Sequence, residues 1–202
     1  MKKTRSELKR EAILQAAREA FREFGAQSTS MDKIAAMAQV SKRTVYNHFI
    51  SKEQLVMTLM AELWQVTNHL IEPAQLAFEP LDKQLEYLLL SEIEILTSRE
   101  YLDLARVVLS YYLYRPQELE MHTLQMANNE TPLLRWLKQQ TDKEQLWIPD
   151  VELANKQLHS LVKGQSFWPQ LFGSPLHLTS EKKRLIAQQC VQFFLSHYGV
   201  KK

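Results

Sequence analysis

An all-α fold is predicted by three features of the chain. It has only four glycines in 202 residues, Leu, Ala, Glu, Gln and Lys recur at helical spacing over long runs, and proline and glycine punctuate those runs. Scarce glycine leaves few of the left-handed positions that tight β-hairpins need. The recurring residues are strong helix formers.

The first helix is expected from about Ser6 to Phe24, with Ile13, Ala16, Ala17, Ala20, Phe21 and Phe24 as its apolar stripe and Gly25 as its stop. Ser30 reads as the N-cap of a second helix, in which Ile34, Ala35 and Ala38 share a face. After a tight connection at Gln39 and Val40, Ser41 can cap the N–H of Arg43 or Thr44 in a third helix. That helix is anchored by only Val45 and Phe49, so Lys42, Arg43, Thr44, Tyr46, Asn47 and His48 are left for other uses. Two short helices joined in this way form a DNA-reading device.

Ser51 and Gln54 form a capping-box signature for a fourth helix ending before Pro73, with Leu55, Leu59, Leu63, Val66 and Leu70 on one face. A connector to Pro80 precedes helices expected near 81–97, 101–114, 117–128, 132–141, 150–171 and 180–198. The chain is thus read as a DNA-binding domain over 1–52, a coupling helix over 52–72, and a larger helical domain over 73–202.

The net charge of +2 hides an asymmetry. Residues 1–52 hold eleven Lys or Arg against five acids, a surplus of +6, and the remainder carries −4. A polyanion therefore meets one positive end. The lone Cys190 excludes a disulfide framework within the chain and reads as a packing residue, and no Cys or His spacing suits a metal. No cofactor or catalytic residue is expected, because no glycine-rich phosphate loop or nucleophile motif is present. Apolar runs such as 107–113 are too short for a bilayer, so a cytoplasmic protein with no membrane partner is expected.

The segment SKRTVYNHFISKEQL, together with ILQAAREAFREFG, the Thr29-Ser30 pair and the Ile34-Ala35 pair, closely resembles the TetR family of bacterial transcription regulators. The resemblance covers roughly the first 65 residues. It departs at Gln39 and Arg43, where the family commonly has Gly. It implies a three-helix helix-turn-helix DNA-binding domain followed by a larger helical ligand-binding and dimerisation bundle. It also implies phosphate contacts at the positions of Thr29, Ser41, Lys42, Tyr46, His48 and Lys52, and base edges at Arg43, Thr44 and Asn47. Arg43 can serve a guanine or a phosphate. Gln39 must either accept a left-handed backbone or sit in a different turn, at a cost of about 1 kcal/mol. A looser resemblance to the AefR-like branch lies in RVVLSYYLYRPQEL and SFWPQLFG.

The resemblance further implies a homodimer on a double-stranded palindromic operator, and repression relieved by a small-molecule effector of unknown identity is the expectation, with activation the open alternative. Arg106, Tyr111, Trp136, Phe167 and Trp168 are the effector-binding candidates. Arg106 is singled out because it lies among Leu104, Val107 and Val108, where a buried guanidinium needs an acid or an anionic ligand. The stripes Val151, Ala154, Leu158, Leu161, Val162 and Ile186, Cys190, Val191, Phe194 are expected in the dimer interface, the monomer core or both. The rival reading is a DNA-bound interaction protein that recruits a protein partner without a small ligand.

Overall fold

The structure, a computed structural model, describes residues 4–70, 78–115, 117, 131–173 and 178–200, excepting the side chains of 64–70. The described secondary structure is α-helical apart from an isolated antiparallel bridge between Leu146 and Gly199. The helices are α1 Arg5–Phe24, α2 Met31–Met37, α3 Lys42–His48, α4 Lys52–Leu70, α5 Leu81–Leu96, α6 Arg99–Tyr112, α7 Pro132–Asp142, α8 Val151–Gln165, α9 Phe167–Leu171 and α10 Ser180–Tyr198. The helix expected over 117–128 lies outside the described residues beyond Gln117, as does most of the connector before Pro80.

Two compact units emerge, one from Met1–Leu63 with Arg99–Thr123 and one from Trp64–Ser98 with Leu124–Lys202. Packing therefore divides the chain differently from the sequence: α6 joins the N-terminal helices instead of the later ones. The reason lies in its stripe. Leu104, Val107, Val108 and Tyr112 share one buried core with Ile13, Ala17, Phe21, Ile34, Val45, Phe49, Leu55 and Leu59. One long and two short helices enclose too little apolar volume alone, and α4 and α6 complete the core.

Within this unit α1 begins one residue earlier than expected. Thr4 caps it through a reciprocal capping box with Glu7, whose carboxylate accepts from the Thr4 N–H at 2.7 Å. Gly25, at φ 79°, ends it. Phe24 is not part of the buried stripe. It stands 39% exposed, with the Lys33 ammonium 2.8 Å from its ring centroid. An ion pair between Arg18 and Glu62 ties α1 to α4.

In the second unit α10 packs on α5 and α8, α7 packs on α5 and α8, and α9 packs on α8. The expected single helix over 150–171 is broken at Ser166. The Pro169 ring lacks an N–H and would collide with the carbonyl four residues back, at Gln165, which is where α8 stops. Cys190 is buried, and that burial pushes its thiol up to about 11, as befits a packing residue.

Glu86 on α5 is buried and accepts from Lys83 Nζ at 2.8 Å and Gln188 Nε2 at 2.9 Å. The Lys83 hydrogen bond leads in holding its carboxyl below the ordinary 4.5, against the opposing effect of burial. A depressed carboxylate stabilises the fold above its unfolded pKa and loses that contribution as pH falls through the folded value. The stability gap between wild type and Glu86→Gln, read by urea unfolding, should therefore be widest near neutrality and narrow on acidification below about pH 4.5. A gap independent of pH would contradict this.

Candidate nucleic-acid interface

The α2–α3 connection is a Schellman motif. Val40 N–H donates to Ala35 O at 3.1 Å, and Gln39 N–H donates to Ala36 O at 3.1 Å. Gln39 occupies the left-handed position, at φ 54°. Of the two options open to this departure from Gly, the chain takes the first and accepts the unfavourable conformation. Half-buried Val40 packs against the core beneath the turn. Ser30 Oγ accepts from Lys33 N–H at 3.2 Å to start α2, and Ser41 Oγ accepts from Thr44 N–H at 3.1 Å to start α3.

The third helix then divides by face. Val45 and Phe49 are 0% and 1% exposed and hold it to the core. Lys42, Arg43, Tyr46 and Asn47, at i, i+1, i+4 and i+5, form an exposed opposite face, with Thr44 and His48 half-buried at its flanks. Hydroxyl, amide, guanidinium and ammonium groups are the usual ligands of phosphates and base edges, and here they share seven residues of rigid helix. Lys42 Nζ lies 2.9 Å from Asp32 Oδ1 and 3.0 Å from Oδ2. The Asp32 hydrogen bond holds the Lys42 ammonium above its ordinary range. Asp32 was missed in the sequence, because a contact across a turn at ten residues' separation has no local signature.

One expected phosphate ligand is placed otherwise, and a second is partly engaged within the protein. Thr29 is 1% exposed, and its hydroxyl is turned inward, 2.9 Å from Gly25 O and 3.3 Å from Ala20 O. It clips the end of α1 to the segment entering α2, and a buried hydroxyl cannot meet a phosphate. Lys52 is half-buried and donates to Gln27 O at 2.9 Å, and burial lowers its ammonium pKa. One of its three donors is thus spent on the loop after α1. At the start of α4, Gln54 N–H donates to Ser51 Oγ at 3.2 Å, while Gln54 Oε1 accepts from Ile50 N–H instead of the capping residue's own.

The effector candidates are dispersed. Arg106 is exposed and pairs with Asp103 one turn away on α6 at 2.8 Å, so the expectation of a partly buried guanidinium is corrected. Its apolar neighbours face the core and it does not, because α6 is strongly amphipathic. Tyr111, in the same unit, is half-buried against Tyr112, with the Arg115 guanidinium 4.2 Å from its ring centroid. In the other unit Trp136 is fully buried and donates from Nε1 to Gln84 Oε1 at 2.7 Å, a core role. Phe167 is buried, and Trp168 is exposed and stacked on Phe172 at 6.0 Å. A cavity of about 380 Å³ in the first unit is lined by Arg18, Arg22, Leu59, Arg99, Asp103 and Leu104, among others, and by none of the five candidates. An open groove of about 800 Å³ in the second unit runs between α8 and α10, past Leu153, Leu161, Phe193, Phe194, His197 and Tyr198. Among the described residues no three His, Cys, Asp or Glu side chains gather as a metal site, and no helix is long and apolar enough to cross a membrane.

Comparison with known proteins places this geometry. Residues 13–58 match the profile of bacterial regulatory proteins of the tetR family, and residues 83–200 match that of the AefR-like transcriptional repressor C-terminal domain. A TetR-family regulator from Pseudomonas syringae pv. tomato is similar in structure, with a TM-score of 0.71 and 34% identity over 95% of this chain and 97% of that one. A putative TetR-family regulator from Mesorhizobium loti aligns over 98% of this chain and all of its own, with a TM-score of 0.79 and 27% identity. The uncharacterized HTH-type regulator YhgD of Bacillus subtilis is 37% identical over 70 residues, a match spanning 33% of this chain and 37% of that relative's length. With its N-terminal reading helix and its C-terminal bundle both matched, the chain belongs to the TetR family of bacterial transcriptional regulators.

Proposed function

We propose that the protein is a cytoplasmic homodimer that binds a palindromic operator through α3 and represses transcription until a small-molecule effector releases it. The observation that carries this reading is the two-faced α3, with Val45 and Phe49 buried and Lys42, Arg43, Tyr46 and Asn47 exposed on the other side. Each subunit places α3 in a major groove, with half-sites about 34–36 Å apart. In this reading residues 1–52 bind DNA, 52–72 couple, and 73–202 bind effector and dimerise. The effector acts by preferring one spacing of the two reading helices, and its leverage is its differential affinity for the two states.

Dimerisation is supported by the α8–α10 groove. Leu153 and Phe193 stand 48% and 63% exposed on its walls, apolar surface that a second copy can bury. Sedimentation analysis at micromolar concentration should give a dimer, and a monomer there would remove the two-half-site geometry.

Arg43 and Lys52 separate specificity from affinity. Arg43→Ala should relax preference at one or two operator positions by about 1–3 kcal/mol, read by selection from a randomised duplex pool. Lys52→Ala should weaken binding to every sequence alike, since its ammonium is tethered at the backbone of the α1–α2 loop. Identical selectivity profiles for the two variants would refute the division.

A further inference from the structure

We infer that Asp32 is a specificity-determining residue, which holds the Lys42 ammonium on α2 until a fully seated duplex presents a phosphate able to take it. The inference rests on the DNA-reading proposal. Asp32 lies in the first turn of α2 and Lys42 in the first turn of α3, so their ion pair spans the turn that sets the reading helix. The ammonium meets both carboxylate oxygens, at 2.9 and 3.0 Å, and both side chains are 62% exposed. The pair stands in water on the rim of the face that receives a polyanion. Lys33, the cation next to Asp32, is turned away over the Phe24 ring.

A carboxylate at that rim repels phosphates and cancels the cation nearest to it. An exposed pair is weak, so direct contact with a phosphate can displace it. A loosely held duplex of arbitrary sequence offers only screened, distant phosphates, and against these the fixed carboxylate keeps Lys42. Such a complex forms with one effective cation fewer and releases one counterion fewer. A cognate duplex that seats α3 in the groove brings a phosphate within hydrogen-bond reach, and Lys42 changes partner. Asp32 thereby weakens non-cognate binding more than cognate binding. Its other role, an acid complementing the N-terminal dipole of α2, predicts no difference between DNA sequences.

The test uses the full-length chain, a duplex recovered by the wild type from a randomised pool, and a mixed-sequence duplex of equal length, titrated over a range of salt. For Asp32→Asn the mixed duplex should bind about 10-fold more tightly, with a salt slope steeper by about one unit, whereas the cognate duplex gains at most about 3-fold with an unchanged slope. In a Lys42→Gln background Asp32→Asn should shift either slope by well under one unit, because only the screened repulsion of the carboxylate is then removed. Lys42→Gln alone should flatten the cognate slope by about one unit and change the mixed-sequence slope by much less, since there the ammonium was already held by Asp32. Circular dichroism shows whether α2 persists in Asp32→Asn, and if it is lost the Lys42→Gln slopes decide the matter. Equal gains on both duplexes, or a cognate slope indifferent to Lys42, overturn the inference while leaving the DNA-reading proposal standing. A wild type that selects no sequence and shows no salt-dependent duplex binding overturns both.

Discussion

Phe49→Ala is expected to destabilise the N-terminal unit by about 3–5 kcal/mol and to abolish operator binding near physiological temperature. Phe49 is 1% exposed and is the residue on which α3 ends, donating its N–H to Val45 O at 2.9 Å. Its ring fills the core shared with Ile13, Ile34, Val45 and Leu55, and the Arg10 guanidinium lies 5.2 Å from its centroid. Only Val45 and Phe49 are buried to anchor α3 and its end, so removing the larger leaves a seven-residue helix held by one valine. A helix that short has no stability of its own in water. Urea unfolding followed by circular dichroism measures the loss. Phe49→Leu, which keeps most of the volume, should cost less than about 1.5 kcal/mol and retain binding. A penalty below about 1 kcal/mol for the alanine variant would show that the ring is not what holds α3.

Trp136→Ala should destabilise the second unit by a similar amount, about 3–5 kcal/mol. The indole is fully buried, and its N–H meets Gln84 Oε1 at 2.7 Å, while Gln84 Nε2 donates to Glu79 O at 2.7 Å. Trp136→Phe separates the two contributions. It keeps most of the apolar packing but deprives the buried Gln84 oxygen of its best donor, since Gln140 Nε2 approaches only to 3.5 Å. Leaving a buried acceptor unmet costs about 1–3 kcal/mol. Adding Gln84→Leu to Trp136→Phe should recover part of that loss, because an apolar pair has nothing to satisfy, although Glu79 O loses its donor. Strict additivity of the two substitutions would mean that the hydrogen bond contributes nothing beyond packing.

Much of the reading module was legible because its signals are local. Ser30 and Ser41 cap the helices to which their side chains suit them, Gly25 stops α1, and Val45 and Phe49 alone recur at the spacing of a buried stripe. Local signals say nothing of what a side chain meets across space. Thr29 carries the residue type of a phosphate ligand and is folded inward. Arg106 lies between apolar neighbours in sequence, yet points to solvent and meets Asp103 instead of an effector. Trp136 and Phe167 have the aromatic character of a pocket lining and are buried in the described structure. Pro169 alone marks the break between α8 and α9, but the apolar spacing that continues across it masks that signal.

The sequence by itself determined the helical class, the capped pair Met31–Met37 and Lys42–His48, and the family, because caps, periodicity and motif spacing are written within a few residues of one another. Only the tertiary structure decided that α6 shares the core of the N-terminal helices, that Gln39 takes the left-handed turn position, that Thr29 is a clip, and that Lys42 rests on Asp32. The physical reason is common to the first and the last two. Burial and ion pairing depend on which surfaces meet, and residues distant in the chain share no local pattern that announces their contact. Gln39 differs only in that the chain offered two backbone solutions, and packing of Val40 beneath the turn accompanies the one observed.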